Sequence, residues 1–259
     1  MYNDPLHRVE QILWWAALAL IAAGLALAFM PAGPIPPGVV FGAGLAALGL
    51  NMLLGGDVIA GPEPRAFTAR GQVVRGRLEV AAGLSDLNVG DGGRDWIAAI
   101  RFGPFGQPAF TAEGGMAHLG LKNPSLRPNI ARWEARLADN ILWDIDARSS
   151  LGELCLDLSR LRLETVRART ILGRIHVACP QRGYARLDLK TAAGAIEVNV
   201  PPEVGATIRV RHGALGTVTV SNKRLLAPAP LHYVTPDYET AAAQVEIDVQ
   251  AAAGDVILS

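Results

Sequence analysis

Apolar and polar residues alternate strictly along the second half of this chain, and the alternation restarts at a fixed interval. Five short runs share one phrase, glycine followed by two aliphatic residues at alternate positions. They read Gly152-Glu-Leu-Cys-Leu156, Gly173-Arg-Ile-His-Val177, Gly194-Ala-Ile-Glu-Val198, Gly216-Thr-Val-Thr-Val220 and Gly254-Asp-Val-Ile-Leu258. The glycines are 21, 21, 22 and 38 residues apart, the last gap being lengthened by the Pro-rich stretch Leu226 to Pro236. A recurring period of this size marks stacked units that each bury an apolar face against their neighbours. The pattern predicts a mainly β fold, a β-solenoid stacked in chain order.

A second strand lies between successive glycines: Val166 to Arg169, Ala185 to Lys190, Thr207 to Arg211 and Gln244 to Gln250. Period-two alternation places one face of each strand in a core. Leu154, Leu156, Ile175, Val177, Ile196, Val198, Val218, Val256 and Leu258 are predicted to point inward. So are the aliphatic residues of the second strands, from Leu187 and Leu189 to Ile247 and Val249. Gly152, Gly173, Gly194, Gly216 and Gly254 then mark corners, where positive φ or a missing Cβ lets the chain turn.

The amino-terminal pattern is different. No charged residue occurs from Gln11 to Gly56. Residues 12–30 and 38–54 form two apolar runs of 19 and 17 residues, separated by Pro31 to Pro37. At about 1.5 Å per helical residue, the runs are only just long enough to cross a hydrocarbon core of roughly 30 Å. The expectation is a transmembrane helical hairpin over residues 1–56, with Gly38 and Gly42 spaced for close helix contact. A basic leader and a small-residue cleavage site are both missing, which argues against a signal peptide. Arg8 precedes the hairpin and Arg65, Arg70, Arg75 and Arg77 follow it, whereas the connecting turn is uncharged. The positive-inside rule then makes both ends cytoplasmic. Residues 57–76 read as a linker.

Residues 77–142 alternate less regularly. Arg77 to Val80 and Leu87 to Val89 read as strands, and Trp133 to Leu137 as a strand with a short helix as the alternative. This stretch is expected to supply irregular first rungs and an end cap, with regular repeats over residues 143–259.

Charge changes the picture little, since 24 basic and 24 acidic residues balance and no whole-chain field favours nucleic acid. The two cysteines, Cys155 and Cys179, are too few for a disulfide framework. By parity, Cys155 points outward and Cys179 inward.

Candidate chemistry arises from stacking. Cys155, His176 and Glu197 occupy the third position after successive glycines and would form an outward ladder at strand spacing of about 4.8 Å. Thiol, imidazole and carboxylate could serve as a nucleophilic set or as zinc ligands. The same alignment follows from the repeat alone, and no pocket or oxyanion donor accompanies it. His118 and His212 are isolated, Gly90-Asp-Gly-Gly93 opens no helix, and Asp144, Asp146 and Asp157 read as solvated outward charges. No enzyme signature and no cofactor motif is present.

The outward face of the second strands carries Arg167, Arg169, Arg186, Lys190, Arg209 and Arg211, with Asp188 among them. Such a face could dock on the anionic bilayer or on an acidic partner protein. Alternatively, it is a solubilising face that discourages edge-to-edge pairing.

Trp133-Glu-Ala-Arg-Leu137, Leu156-Asp-Leu-Ser159, Val200-Pro201 and Tyr233-Val-Thr-Pro-Asp-Tyr238, together with the glycine phrase, resemble the LiaF-type toastrack domains of bacterial cell-envelope stress systems. The resemblance covers about residues 77 to 259. It implies a non-enzymatic domain behind a few membrane helices, binding a protein partner such as a membrane histidine kinase. The expectation is a membrane-anchored protein that senses or relays envelope state by contact. The alternative is a structural scaffold that self-associates, or an adhesin-like surface protein if the domain lies outside the cell.

Overall fold

Each repeat is a long strand and a short strand joined through a glycine corner, and the two strands enter different sheets. The structure is a computed structural model. It describes residues 19–21, 40, 42–46, 65–68, 72–102, 107–122 and 132–259. The chain divides into two units, Met1–Ala60 and Gly61–Ser259. In the first, residues 19–21, 40 and 42–46 are helical. Among the described residues no helix is long and apolar enough to cross a membrane. The predicted spans 12–30 and 38–54 otherwise lie outside those residues, so the hairpin remains an expectation. Residues 103–106 and 123–131 also lie outside them.

The second unit is a two-sheet β structure. Its strands are β1 (Arg65–Phe67), β2 (Arg75–Ala81), β3 (Leu87–Gly93), β4 (Ala98–Arg101), β5 (Gln107–Glu113), β6 (Met116–Lys122) and β7 (Trp133–Ala138). There follow β8 (Leu142–Leu151), β9 (Leu154–Asp157), β10 (Arg162–Leu172), β11 (Ile175–Ala178), β12 (Gly183–Ala193) and β13 (Ile196–Asn199). The last are β14 (Val204–His212), β15 (Val218–Val220), β16 (Leu226–Ala229), β17 (His232–Val234), β18 (Ala243–Ala253) and β19 (Val256–Leu258). The short strands form a sheet ordered β1-β4-β7-β3-β9-β11-β13-β19-β15. The long strands form a second sheet ordered β16-β17-β14-β18-β12-β10-β8-β2-β6-β5. Strand β1 and the start of β2 fall within the predicted linker, which is therefore shorter than residues 57–76.

Read as rungs, both sheets give the same order, and it is not the order of the chain. The rung β6/β7 lies outside β2/β3, and the final rung β18/β19 lies between β12/β13 and β14/β15. Neighbouring rungs pair in parallel throughout this run. This corrects the expectation of sequential stacking: Gly254 follows Gly194 in space, and Gly216 is outermost. The five glycines still share one edge. Antiparallel strands close the ends, β1, β4 and β5 at one and β16 and β17 at the other.

Burial follows the predicted parity. Leu154, Ile175, Ile196, Leu187, Leu189, Ile247 and Val256 are fully buried between the sheets. Val218 is only half-buried, because β15 is a three-residue edge strand with one neighbour. The alternating segment at Trp133 is a strand, and Trp133 and Trp143 are the largest fully buried side chains. The Trp143 indole lies over Gly76, and its Nε1 donates to the Ala138 carbonyl at 2.9 Å.

Candidate functional site

The outward positions of the short strands line a polar groove of the second unit. Register places Asn88 (β3) beside Cys155 (β9), Cys155 beside His176 (β11), and His176 beside Glu197 (β13). Two residues further along, Asp157, Ala178 and Asn199 form a second row. Between and beyond these rows lies an open groove of about 570 Å³, lined by Asn88, Arg136, Asp157, His176, Gln181 and Asn199 among others.

Each side chain is positioned by a rung. Asp157 and Asn199 end their strands five residues after a corner glycine. Gln181 sits in the next turn, where its backbone N–H donates to the Ser159 carbonyl at 3.1 Å. The Ser159 hydroxyl donates to Asp157 at 2.6 Å. Arg136 is held by Glu134, to which its Nε donates at 2.7 Å, and by the Asp91 carbonyl at 3.4 Å. Among the described residues, the side-chain amides of Asn88, Gln181 and Asn199 make no hydrogen bond within the protein, so their donors and acceptors face the groove.

Two members of the predicted ladder meet. His176 Nδ1 lies 3.2 Å from a Glu197 carboxylate oxygen. Cys155 is their neighbour in register, but no hydrogen bond joins its thiol to the imidazole. Partial burial, with the nearby carboxylates of Glu153 and Asp86, pushes the Cys155 thiol above its ordinary value. That is the reverse of what activates a thiolate. Among the described residues no three His, Cys, Asp or Glu side chains converge to hold a metal ion. Cys179 is fully buried, and burial pushes its thiol up to about 12.

The predicted basic face is a mixed lattice. Arg169, Arg186, Lys190 and Arg209 do point outward from the long-strand sheet, but acids on adjacent strands interleave with them. Arg186 pairs with Asp248 at 3.3 Å and Arg209 with Glu246 at 3.5 Å. Asp188 receives Arg169 at 3.6 Å and Lys190 at 3.2 Å. Arg167 stands in register between Asp146 and Asp188. Cations stay together only in the row nearest the corners, where Arg148, Arg169, Lys190, Gln250 and Arg211 are successive neighbours.

Sequence reasoning singled out His176 and Glu197 but missed Asn88, Gln181 and Asn199. A signal did exist, since the fifth residue after Gly152 and Gly194 is polar and the parity makes it outward.

No family model matches the sequence, the LiaF-type family included, and no curated protein sequence matches it. A solved structure of a candidate cell adhesion protein from Clostridium sporogenes shares the fold. The two are 16% identical with a TM-score of 0.60, over 76% of this chain and 99% of that one. A candidate adhesin from Bacteroides fragilis is 8% identical with a TM-score of 0.31, over 76% of this chain and 96% of that one.

Proposed function

We propose that this chain is a recognition module of adhesion type, tethered through its apolar amino-terminal segment, which holds an extended glycan along the sheet of short strands. The observation that carries this reading is the open groove whose amides make no hydrogen bond within the protein. Asn88, Gln181 and Asn199 each offer both a donor and an acceptor, and Asp157 and Arg136 add one charge of each sign. Polyhydroxylated ligands match such mixed arrays, which here are spread over successive parallel rungs. The groove is open along its length, which suits a polymer better than a small molecule that must be shielded from water. The solved structure from Clostridium sporogenes is named for cell adhesion, which agrees with this mode of action. A reporter fused to the carboxyl end of the full chain tests the placement outside the cell that a glycan ligand requires.

Contact rather than catalysis fits the local chemistry. The Cys155 thiol is pushed above its ordinary value, and His176 is engaged by Glu197. A kinase-modulating role would also work by contact, and nothing in the comparisons favours it.

The test is binding of the purified full chain to arrayed bacterial and host glycans. At least one glycan class should bind, and Asn199→Ala with Gln181→Ala should weaken binding at least tenfold while leaving the unfolding midpoint unchanged. Absence of glycan binding, or binding indifferent to these two substitutions, refutes the reading.

A further inference from the structure

The glycine corners give the second unit one long edge, and that edge is apolar at its surface. Leu84, Leu151, Ile171, Leu172 and Leu215 are 37, 43, 57, 49 and 81% exposed. They are not scattered. Leu151 is in register with Leu172, which is in register with Ala193, and Ala193 with Ala253. Leu84 belongs to the turn whose Ser85 carbonyl lies against Gly152, and Leu215 to the turn between Gly213 and Gly216, which rest on Ala252 and Gly254. Six successive rungs therefore each contribute an apolar residue to one straight ridge, about 24 Å long at about 4.8 Å per rung.

Beside the ridge runs the cation row. Arg169 precedes Ile171 by two residues on the same face of β10, a separation of about 6.7 Å. Arg148, Lys190 and Arg211 hold the same position on their own rungs. Asp146 and Asp188, which pair with Arg148, Arg169 and Lys190, lie one row further from the ridge, in a row shared with Arg167, Asp248 and Arg209. On the other side of the corner, Glu153, Arg174 and Asp255 leave one net negative charge. Moving away from the corner, the long-strand sheet thus reads apolar, cationic, then mixed in charge.

We infer that this edge rests on an anionic bilayer surface, the leucines and Ile171 entering the headgroup region while Arg148, Arg169, Lys190 and Arg211 meet lipid phosphates. An apolar stripe flanked by basic residues is how interfacial segments hold a charged membrane. Lipid is the occupant this pattern fits, four cations flanking the exposed apolar residues, and a second copy of this chain is an outcome of the test. The uncharged run from Gln11 to Gly56 supplies an independent reason for the unit to lie near a bilayer.

The test uses the full chain with Cys155→Ser and Ala192→Cys, a polarity-sensitive fluorophore on the new thiol, and lipid nanodiscs. Discs containing phosphatidylglycerol should shift the emission to the blue, whereas pure phosphatidylcholine should not. Arg169→Glu with Lys190→Glu should abolish the shift, and Ile171→Ser with Leu172→Ser should reduce it at least tenfold in apparent affinity for anionic lipid. A label that stays water-exposed in every lipid, or one that shifts equally in neutral discs, overturns the inference. So does a blue shift in lipid-free detergent that grows with protein concentration, which would assign the edge to a second copy. Glycan binding through the opposite sheet is read separately, so either reading can fail alone.

Discussion

Gly254 rests on the carbonyl of Gly194, although a whole further repeat, Gly216 included, lies between them in the chain. A Cβ at Gly254 would overlap that oxygen, and the φ of 141° is one that L side chains rarely adopt. The same relationship joins Gly173 to Gly152, Gly194 to Gly173 and Gly216 to Gly254. Corner glycines thus set how closely rungs approach. Gly254→Ala should cost roughly 3 kcal/mol or more, combining backbone strain with displacement of a neighbouring carbonyl. Gly183, with φ of 71° and open space around it, is the control, and Gly183→Ala should cost about 1 kcal/mol. Denaturant midpoints at unchanged slope check both.

The Trp143 ring and Gly76 are mutually fitted. A methyl at position 76 would overlap Cζ3, Cε3 and Cη2 in the six-membered part of the indole. Gly76→Ala should destabilise by about 1–3 kcal/mol through overpacking. Trp143→Phe should cost about 3 kcal/mol, since it opens a cavity and strands the Ala138 carbonyl. In the Trp143→Phe background the added methyl has room, so the double variant should be less destabilised than the sum. A double-mutant cycle measures the coupling.

These sites show why parts of the fold were legible in the sequence. Parity alone places Leu187, Leu189 and Ile247 inside, and a glycine every rung marks the corner edge. Rung order is different. Nearly identical rungs pair in parallel with little regard to their separation in the chain, so Gly194 could receive Gly216 or Gly254 on local grounds. The choice is made by tertiary contacts of the intervening excursion. There, β17 pairs antiparallel with β14, and Arg224 donates to Asp237 at 2.8 Å and to the Pro201 carbonyl at 3.1 Å. The basic face is neutralised for a related reason: the partners of Arg186 and Arg209, Asp248 and Glu246, arrive from β18, a strand distant in sequence from β12.

Hydroxyls line the inner side of the corner, and they are not equivalent. Ser149 donates to the Gly83 carbonyl at 3.1 Å, whereas Thr170 and Thr191 have buried hydroxyls without a partner among the described residues. Ser149→Ala should cost about 1 kcal/mol. Thr191→Val keeps the shape and removes an unsatisfied polar atom, so it should be neutral or stabilising by up to about 1 kcal/mol. Thermal unfolding of the two variants distinguishes them by sign.

Acid should weaken the long-strand sheet through its ion pairs. The Arg148 guanidinium, donating at 2.6 and 2.9 Å, holds the Asp146 carboxyl below the usual carboxylate range against the opposing effect of burial. A carboxyl whose value is depressed by folding contributes stability above its unfolded value. That contribution is lost as pH falls through the folded value. Because Arg148 is exposed, the contribution should be under about 1 kcal/mol. Stability measured from pH 7 to pH 2 should fall below about pH 4, and Asp146→Asn should flatten part of that slope.

Thiol reactivity separates the two cysteines and bears on the Cys155, His176 and Glu197 ladder. Cys179 is fully buried with its thiol pushed up to about 12, so at pH 8 it is protonated and sterically shielded. A disulfide reagent should leave it unmodified until the sheets separate, and its labelling rate in mild denaturant should report unfolding. Cys155 is half-buried and also raised, by burial first and then by Glu153 and Asp86. It should react more slowly than a free thiol at pH 8. Glu153→Gln should speed it by removing one of the charges that disfavour thiolate. His176→Ala should leave the rate nearly unchanged, because the imidazole is paired with Glu197 and makes no hydrogen bond to the sulfur. A Cys155 that reacts faster than free cysteine, and slows when His176 is removed, would reveal an activated thiol and reopen a catalytic role for the groove.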